Sequence, residues 1–287
     1  MGKLFRALWR VITFPFRAIW WIVTLPFRAV VSAHHFLTDE LIEKDDDDRE
    51  KLSIWDHIEV LRKHLLRALI ALLLASIAGW FMAEPVTTLL AAPVGGPQNL
   101  QVIELTESIG VYMKIAVMLG LGISIPYIAF EIWYFSAPGL HPRERQTTLV
   151  AIPLTALLFY VGIYFTYRWM LPPAIEFLSN FGAFTSNPTA ERYYSLLIRL
   201  LVWIGLFFEF PLVVYLLTSV GVVKPNQLAQ QWRVAVVAIA VIAAMVTPTT
   251  DMGSMALVMA PMIVLYLIGV LLSYVAYAAR MRRIESS

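Results

Sequence analysis

Long apolar runs alternate with short polar breaks along most of this chain. The runs cover roughly 65–82, 109–135, 148–169, 194–218, 233–249 and 254–278. As helices, they match the length needed to cross a hydrocarbon core of about 30 Å. The pattern therefore predicts six transmembrane helices. The fifth run, only 17 residues long, is near the lower limit for crossing. It is expected to sit in locally thinned lipid, close to the short connection to the sixth. Pro126, Pro153, Pro211 and Pro261 fall inside the runs and predict kinks, because proline removes a helix hydrogen bond and crowds the preceding turn. The fold class is thus an all-α membrane protein, with six kinked transmembrane helices in a cupped bundle.

The polar breaks carry the orientation. Segments 84–108, 169–191 and 247–253 contain no Lys or Arg. The opposite breaks hold Arg62, Lys63 and Arg67, then Arg143 and Arg145, then Lys224 and Arg233, and finally Arg280, Arg282 and Arg283. Basic residues collect on the cytoplasmic side, so both termini are expected in the cytoplasm of a cell (inner) membrane. The outer segments "LLAAPVGGPQ" and "LPPAIEFLSNFGAF" are expected as short helices that lie on or cap the membrane.

Ahead of the first run, residues 1–36 contain an 11-residue repeat: "FRALWRVITFP", "FRAIWWIVTLP", "FRAVV". Eleven residues make almost three helical turns. Lys3, Arg6, Arg10, Arg17 and Arg28 then fall within about 60° of one another on a helix. This basic amphipathic pattern suits an anionic membrane interface. A passive lipid anchor and a partner-binding segment are its two readings, and no signal peptide is expected. Residues 37–53 follow as an acidic linker containing "EKDDDD". The main domain is expected over 54–280, with a cytoplasmic tail over 281–287.

Composition agrees and adds exclusions. The chain is 59% hydrophobic and 15% charged, with a mean hydropathy of +0.71, which removes it from ordinary soluble domains. It has no cysteine, so disulfides and thiolate metal sites are excluded. His34, His35, His57, His64 and His141 all lie outside the runs, which excludes a histidine-based intramembrane zinc site. Neither H-E-x-x-H nor G-x-S-x-G occurs. No enzyme activity, cofactor, metal or nucleic acid is expected.

Within the fourth run, "FFEFPLVV" (207–214) sets Glu209 among apolar residues. An acid at the bilayer centre costs about 2.5–3.5 kcal/mol on insertion scales. Three readings remain open. A long apolar span can absorb a harmless carboxyl. Glu209 can line a polar, partly wet concave face that receives a partner's transmembrane helix or a signal-peptide hairpin. It can also carry protons in a proton-coupled small-molecule transporter. That third reading would normally bring inverted repeats, and spans 1–3 and 4–6 do not correspond. Lys114 and Arg199, also in or near spans, are expected to snorkel; Glu107 and Lys114, at i,i+7, are a weak pair. Asp251 is expected to cap the outer turn.

On the cytoplasmic side, "IWDHIEVLRKHLLRAL" (54–69) enters the first span as an amphipathic helix. "EIWYFSAPGLHPRERQ" (131–146) leaves the second through a corner forced by Pro138, Gly139 and Pro142. These stretches, with "APV" (92–94), "TES" before span two, "LFYVGIYFTY" (158–167), "FFEFPLVVYLL" and "VTPTTD" (246–251), resemble the TatC family, the multispan subunit of the twin-arginine protein translocase. The resemblance covers about residues 54–280 and leaves out the N-terminal repeats. It implies recognition of signal peptides with a paired arginine. It also implies export of folded proteins with single-span TatA- and TatB-type partners in a multi-copy complex, driven by the proton-motive force. Two guanidiniums call for carboxylates with planar, bidentate geometry. The resemblance assigns contact with the arginine pair to Glu144, with Glu59, Arg62, Phe135 and Pro138 contributing to the same site. It assigns Glu209 to the intramembrane polar face. The chain departs from the family's "HLEELRxR": Val60 replaces the second glutamate and His64 the final arginine.

Overall fold

The computed structural model describes residues 54–136, 151–179, 188–247 and 252–285. The N-terminal repeats, the acidic linker, Pro138, Glu144 and Asp251 lie outside them. Nine α-helices are found among the described residues: α1 (Ile54–Leu90), α2 (Glu107–Ser136), α3 (Ala151–Phe165), α4 (Leu171–Ser179), α5 (Ala190–Phe207), α6 (Phe210–Val220), α7 (Pro225–Gln230), α8 (Trp232–Val246) and α9 (Met252–Glu285). A π-helical turn, Thr166–Met170, joins α3 to α4. Five stretches are long and apolar enough to cross a membrane: Ile58–Val94, Glu107–Ser136, Ala151–Glu176, Ala190–Val220 and Met252–Arg282. The expected fifth span is α8, which has only 15 residues, about 22 Å of helix.

The α1–α2 pair is closely packed, because small residues meet along its seam. A Cβ on Gly120 would collide with the Ser76 hydroxyl and lie 2.6 Å from the Ser76 Cα, and one on Gly79 would lie 2.6 Å from the Ala116 carbonyl oxygen. Small residues let helix backbones approach where lipid offers no hydrophobic drive for association. The opposite side of α1 exposes Leu73, Ile77 and Phe81, as a lipid-facing surface would. The central core is built from α2, α5 and α9, with Ile115, Leu197, Leu201, Ile204 and Met262 almost fully buried.

The C-terminal end of α1 is closed by tyrosines. A helix leaves its last carbonyls without intrahelical partners. Here Tyr194 donates to the Thr87 carbonyl (2.9 Å), Tyr167 to that of Leu89 (2.7 Å) and Tyr193 to that of Leu90 (2.7 Å). The chain then makes two 3₁₀ turns, Ala92–Val94 and Pro97–Asn99, in the segment for which short helices are expected. Gln101 pairs with the stretch before α5: its N–H donates to the Pro188 carbonyl (3.2 Å) and its carbonyl accepts from Ala190 (2.8 Å). The buried Glu107 carboxylate adds a second tie, accepting from the backbone N–H groups of Ile103 (2.9 Å) and Glu191 (2.6 Å). Residues 101–107 and 188–191 are thereby bound into one cap.

The span prolines are accommodated in two ways. Pro126 lies inside α2 and Pro261 inside α9. Pro211 does more than bend its helix: α5 ends at Phe207, α6 begins at Phe210, and Pro211 occupies the first turn of α6. α6 then stops at Gly221, whose φ of 91° places it in the left-handed region that glycine adopts without strain. The Arg280 guanidinium lies directly over that glycine, so the ends of α6 and α9 meet on one side.

Candidate functional site

At the start of α1, Glu59 and Lys63 form an i,i+4 ion pair (2.9 Å) with both side chains well exposed. Such a pair contributes little and is readily exchanged, so the Glu59 carboxylate is open to another cation. Arg62 is exposed beside it. One residue beyond Lys63 the surface changes. His64 is buried, and its Nδ1 lies 2.5 Å from Oε2 of Glu131 in the last two turns of α2. Its ring packs against those of Tyr134 (5.3 Å between centroids) and Phe135 (6.1 Å). The sequence-predicted Glu59, Arg62 and Phe135 are therefore brought to one end of the α1–α2 pair, with His64 between them. Pro138 and Glu144 follow Phe135 by only three and nine residues, but both lie outside the described residues.

Position 60 is four residues before His64, so the two share a helix face. That is the face turned towards α2. Glu59 belongs to the neighbouring face with Lys63. Val60 is partly open, with 40% of its surface exposed, so a longer side chain has room there.

The second site lies at the α5–α6 break. Pro211 has no N–H, and the backbone turns through Phe208 and Glu209 before α6 resumes with Val213 donating to the Glu209 carbonyl (3.0 Å). The chain neighbours of Glu209 are aromatic and packed: Phe208 on Phe165 (5.5 Å) and Phe207 on Phe210 (5.5 Å). The Thr155 hydroxyl on α3 hydrogen-bonds to the carboxyl group. Oε1 is buried without a hydrogen-bond partner among the described residues. No ion pair to Glu209 occurs among them either. Thr218 Oγ1, farther along α6, is likewise buried and unpartnered among the described residues.

Above Glu209 towards the outer cap, α5 presents Glu191, Ser195 and Arg199 at four-residue steps, hence on one face. Lys114 of α2 reaches across to Glu191 (3.0 Å) and Ser195 (2.8 Å). Lys114 therefore takes Glu191 as its ion-pair partner, not the Glu107 suggested by spacing, because Glu107 is engaged by backbone donors. The Arg199 Nε donates back to the Ser195 carbonyl (3.2 Å), one turn earlier on α5. Sequence reasoning missed the His64–Glu131 contact and the three tyrosine caps. His64, standing where the family motif has an arginine, was the one available signal.

Among the described residues, no group of three His, Cys, Asp or Glu is placed to hold a metal ion. An all-helical bundle with five long apolar helices, a polar entrance at one end of α1–α2 and an acid in a broken helix defines a multispan membrane protein. Residues 56–261 match the family model for the Sec-independent protein translocase protein (TatC), and the chain belongs to that family. It is 33% identical over 231 residues to the Sec-independent protein translocase protein TatCy of Bacillus subtilis, covering 79% of this chain and 91% of the relative. It is 32% identical to the TatC protein of Deinococcus radiodurans, covering 77% of this chain and 86% of that one. The crystal structure of the twin-arginine translocase receptor TatC superposes with a TM-score of 0.70 at 31% identity, over 77% of this chain and 99% of that one. The family consists of translocase subunits and not of enzymes.

Proposed function

We propose that the chain is the signal-peptide-recognising core of a twin-arginine translocase, moving folded proteins across the cell membrane with energy from the proton-motive force. The single observation that carries this reading is the meeting of Glu59, Arg62 and Phe135 at one end of α1–α2, where the chain leads into residues 137–150. An arriving arginine pair would be held there by Glu144, with Glu59 contributing once released from Lys63, and with Phe135 and Pro138 shaping the corner. The match to a structure described as a twin-arginine translocase receptor supports the same assignment.

Six crossings with both termini cytoplasmic, in a cupped arrangement, fit this role: the entrance then faces the side on which the signal peptide is made. The polar stripe from Lys114 and Glu191 through Arg199 to Glu209 would face single-span TatA- and TatB-type partners or the signal-peptide hairpin in a multi-copy complex. The unpartnered Glu209 oxygen favours this over a carboxyl that is satisfied internally. Binding of a fluorescent paired-arginine peptide to the full chain in nanodiscs tests the reading, with a paired-lysine peptide as control. Glu144→Gln should weaken arginine-peptide binding several-fold, since a charge-assisted bond becomes a neutral one. Equal affinity for both peptides would refute the recognition role, and unchanged binding by Glu144→Gln would remove that residue from the site.

A further inference from the structure

Most of the circumference of α5 is covered: Tyr193, Tyr194, Leu197, Leu200, Leu201 and Ile204 are all buried. One stripe is left open. Arg192, Arg199, Trp203 and Leu206 are exposed, and at 100° per residue they fall within about 60° of one another. The stripe is graded along the helix. Its first two members are arginines, and its last two are aromatic and aliphatic.

Neither arginine has a counterion among the described residues, because the charges around them are already paired. Lys114 of α2 holds Glu191 (3.0 Å) and the Ser195 hydroxyl (2.8 Å). The buried Glu107 is engaged by backbone N–H groups. Arg192 gives its backbone N–H to the Thr189 hydroxyl that caps the helix, and its guanidinium meets no acceptor among the described residues. Arg199 spends its Nε on the Ser195 carbonyl (3.2 Å), which leaves both terminal nitrogens of its guanidinium without an acceptor among them. The two positions are seven residues apart, about 10 Å along the helix. Arg199 shortens that gap by reaching back towards the start of α5.

Arg199 lies in Ala190–Val220, a stretch long and apolar enough to cross a membrane. An unpaired guanidinium there is costly in hydrocarbon and is relieved by reaching an anion at the headgroup level. Lipid phosphate is the anion of that layer, and a guanidinium offers it a planar fork of N–H donors. Trp203 and Leu206, with 39% and 40% of their surface exposed, continue the stripe where acyl chains run. Basic near the cap and apolar beyond it is the order of a phospholipid from headgroup to chain. A packed transmembrane helix would call for small residues at the seam, as Ser76 and Gly120 supply between α1 and α2; all four members of this stripe are bulky.

We propose that the exposed stripe of α5 binds an anionic phospholipid, with the phosphate held by Arg192 and Arg199 and an acyl chain laid on Trp203 and Leu206. No carboxylate balances these two cations, so a lipid of net negative charge is favoured over a zwitterionic one. The lipid bounds the partner-facing stripe on its cap side and leaves Glu209 to the partner.

Two readouts on the full chain test this. In the first, the chain in neutral-detergent micelles receives equimolar phosphatidylglycerol and phosphatidylcholine, and bound lipid is counted by native mass spectrometry. Phosphatidylglycerol should be preferred. Arg192→Gln and Arg199→Gln should each lower its binding about five-fold, and Arg199→Lys by less. The second readout is local. Brominated acyl chains quench nearby indoles, and the share of quenching lost in Trp203→Phe isolates one of the nine tryptophans. Brominated phosphatidylglycerol should quench that share more strongly than brominated phosphatidylcholine. The difference should vanish in the Arg192→Gln, Arg199→Gln double variant and persist in Arg282→Gln, which removes a basic residue at the C-terminal end of α9. Equal quenching by both lipids in the unaltered chain, or a preference that the double variant keeps, overturns the inference and leaves only bulk lipid at the stripe. Displacement of the brominated lipid by an excess of inorganic phosphate makes this a site for the anion alone and also overturns it. So does loss of a co-expressed single-span partner by the double variant with the lipid preference unchanged, which gives the stripe to a protein. If the double variant does not fold, the two single variants decide by the same quenching comparison. Neither readout uses the paired-arginine peptide, so the recognition role stands or falls separately.

Discussion

Glu209 and Val60 show how one side chain carries function only through its surroundings. Glu209 has a single hydroxyl partner, Thr155, and a second oxygen with none among the described residues. A carboxyl in the membrane at that level of satisfaction makes insertion and stability less favourable. Glu209→Leu should therefore insert as well as or better than the parent, by up to about 2.5–3.5 kcal/mol on insertion scales. Export of a folded twin-arginine cargo, measured in cells, should fall several-fold. Full export by Glu209→Leu would show that the acid is merely tolerated. Val60 shares a face with His64, so Val60→Glu would place a second carboxylate towards α2. Peptide binding should tighten several-fold and become less sensitive to salt, because a direct contact replaces attraction screened over about 8–10 Å. Titrations at low and high salt check this; identical affinities for the unaltered chain and Val60→Glu in both would turn position 60 away from the ligand.

Between elements, the decisive feature is how closely α1 and α2 can approach. Gly120 allows it, since its absent Cβ would meet the Ser76 backbone as well as the Ser76 hydroxyl, and the backbone cannot simply rotate away. Gly120→Leu should lower stability by about 1–3 kcal/mol through overpacking, read as a lower unfolding temperature in detergent. An unchanged temperature would mean that α1 can shift freely on α2. The tyrosine caps at the other end of α1 work by a different physical rule. They satisfy carbonyls that a helix end necessarily leaves open, and they come from the π-helical turn and α5, both remote in sequence. Tyr193 thus completes a helix that ended 103 residues before it.

Across the whole molecule, the arrangement separates two polar regions by about the length of α1, one at its entry and one at its outer cap. The absence of Lys and Arg from 84–108 and their presence around 224–233 predict that the cap lies outside. A cysteine at Gly96 should be labelled from outside by an impermeant thiol reagent, whereas one at Gln227 should react only after the membrane is permeabilised. The opposite pattern would reject the six-span orientation. The shortness of α8 does not exempt it from this test, since Gln227 and the outer turn lie at its two ends.

Much of this is set by sequence alone. Hydrophobic run length marks every long apolar helix, because a helix must match the membrane it crosses. The motifs at 57–66, 135–145 and 207–217 mark the family, because those stretches carry the polar and turn-forming groups that an apolar background makes conspicuous. Proline predicts kinks, and a helix break does occur beside Pro211. The tertiary structure decided the pairings that depend on distance between helices. Spacing suggested Glu107 for Lys114, but backbone donors from the two outer segments occupy Glu107, and Glu191 is the residue that α5 brings within reach. His64 reads in the sequence as a departure from a motif; only the packing of α1 on α2 placed it, buried, against Glu131. Such partners lie 67 or 77 residues apart, beyond the reach of any local periodicity, and burial is what turns the His64–Glu131 contact into a constraint.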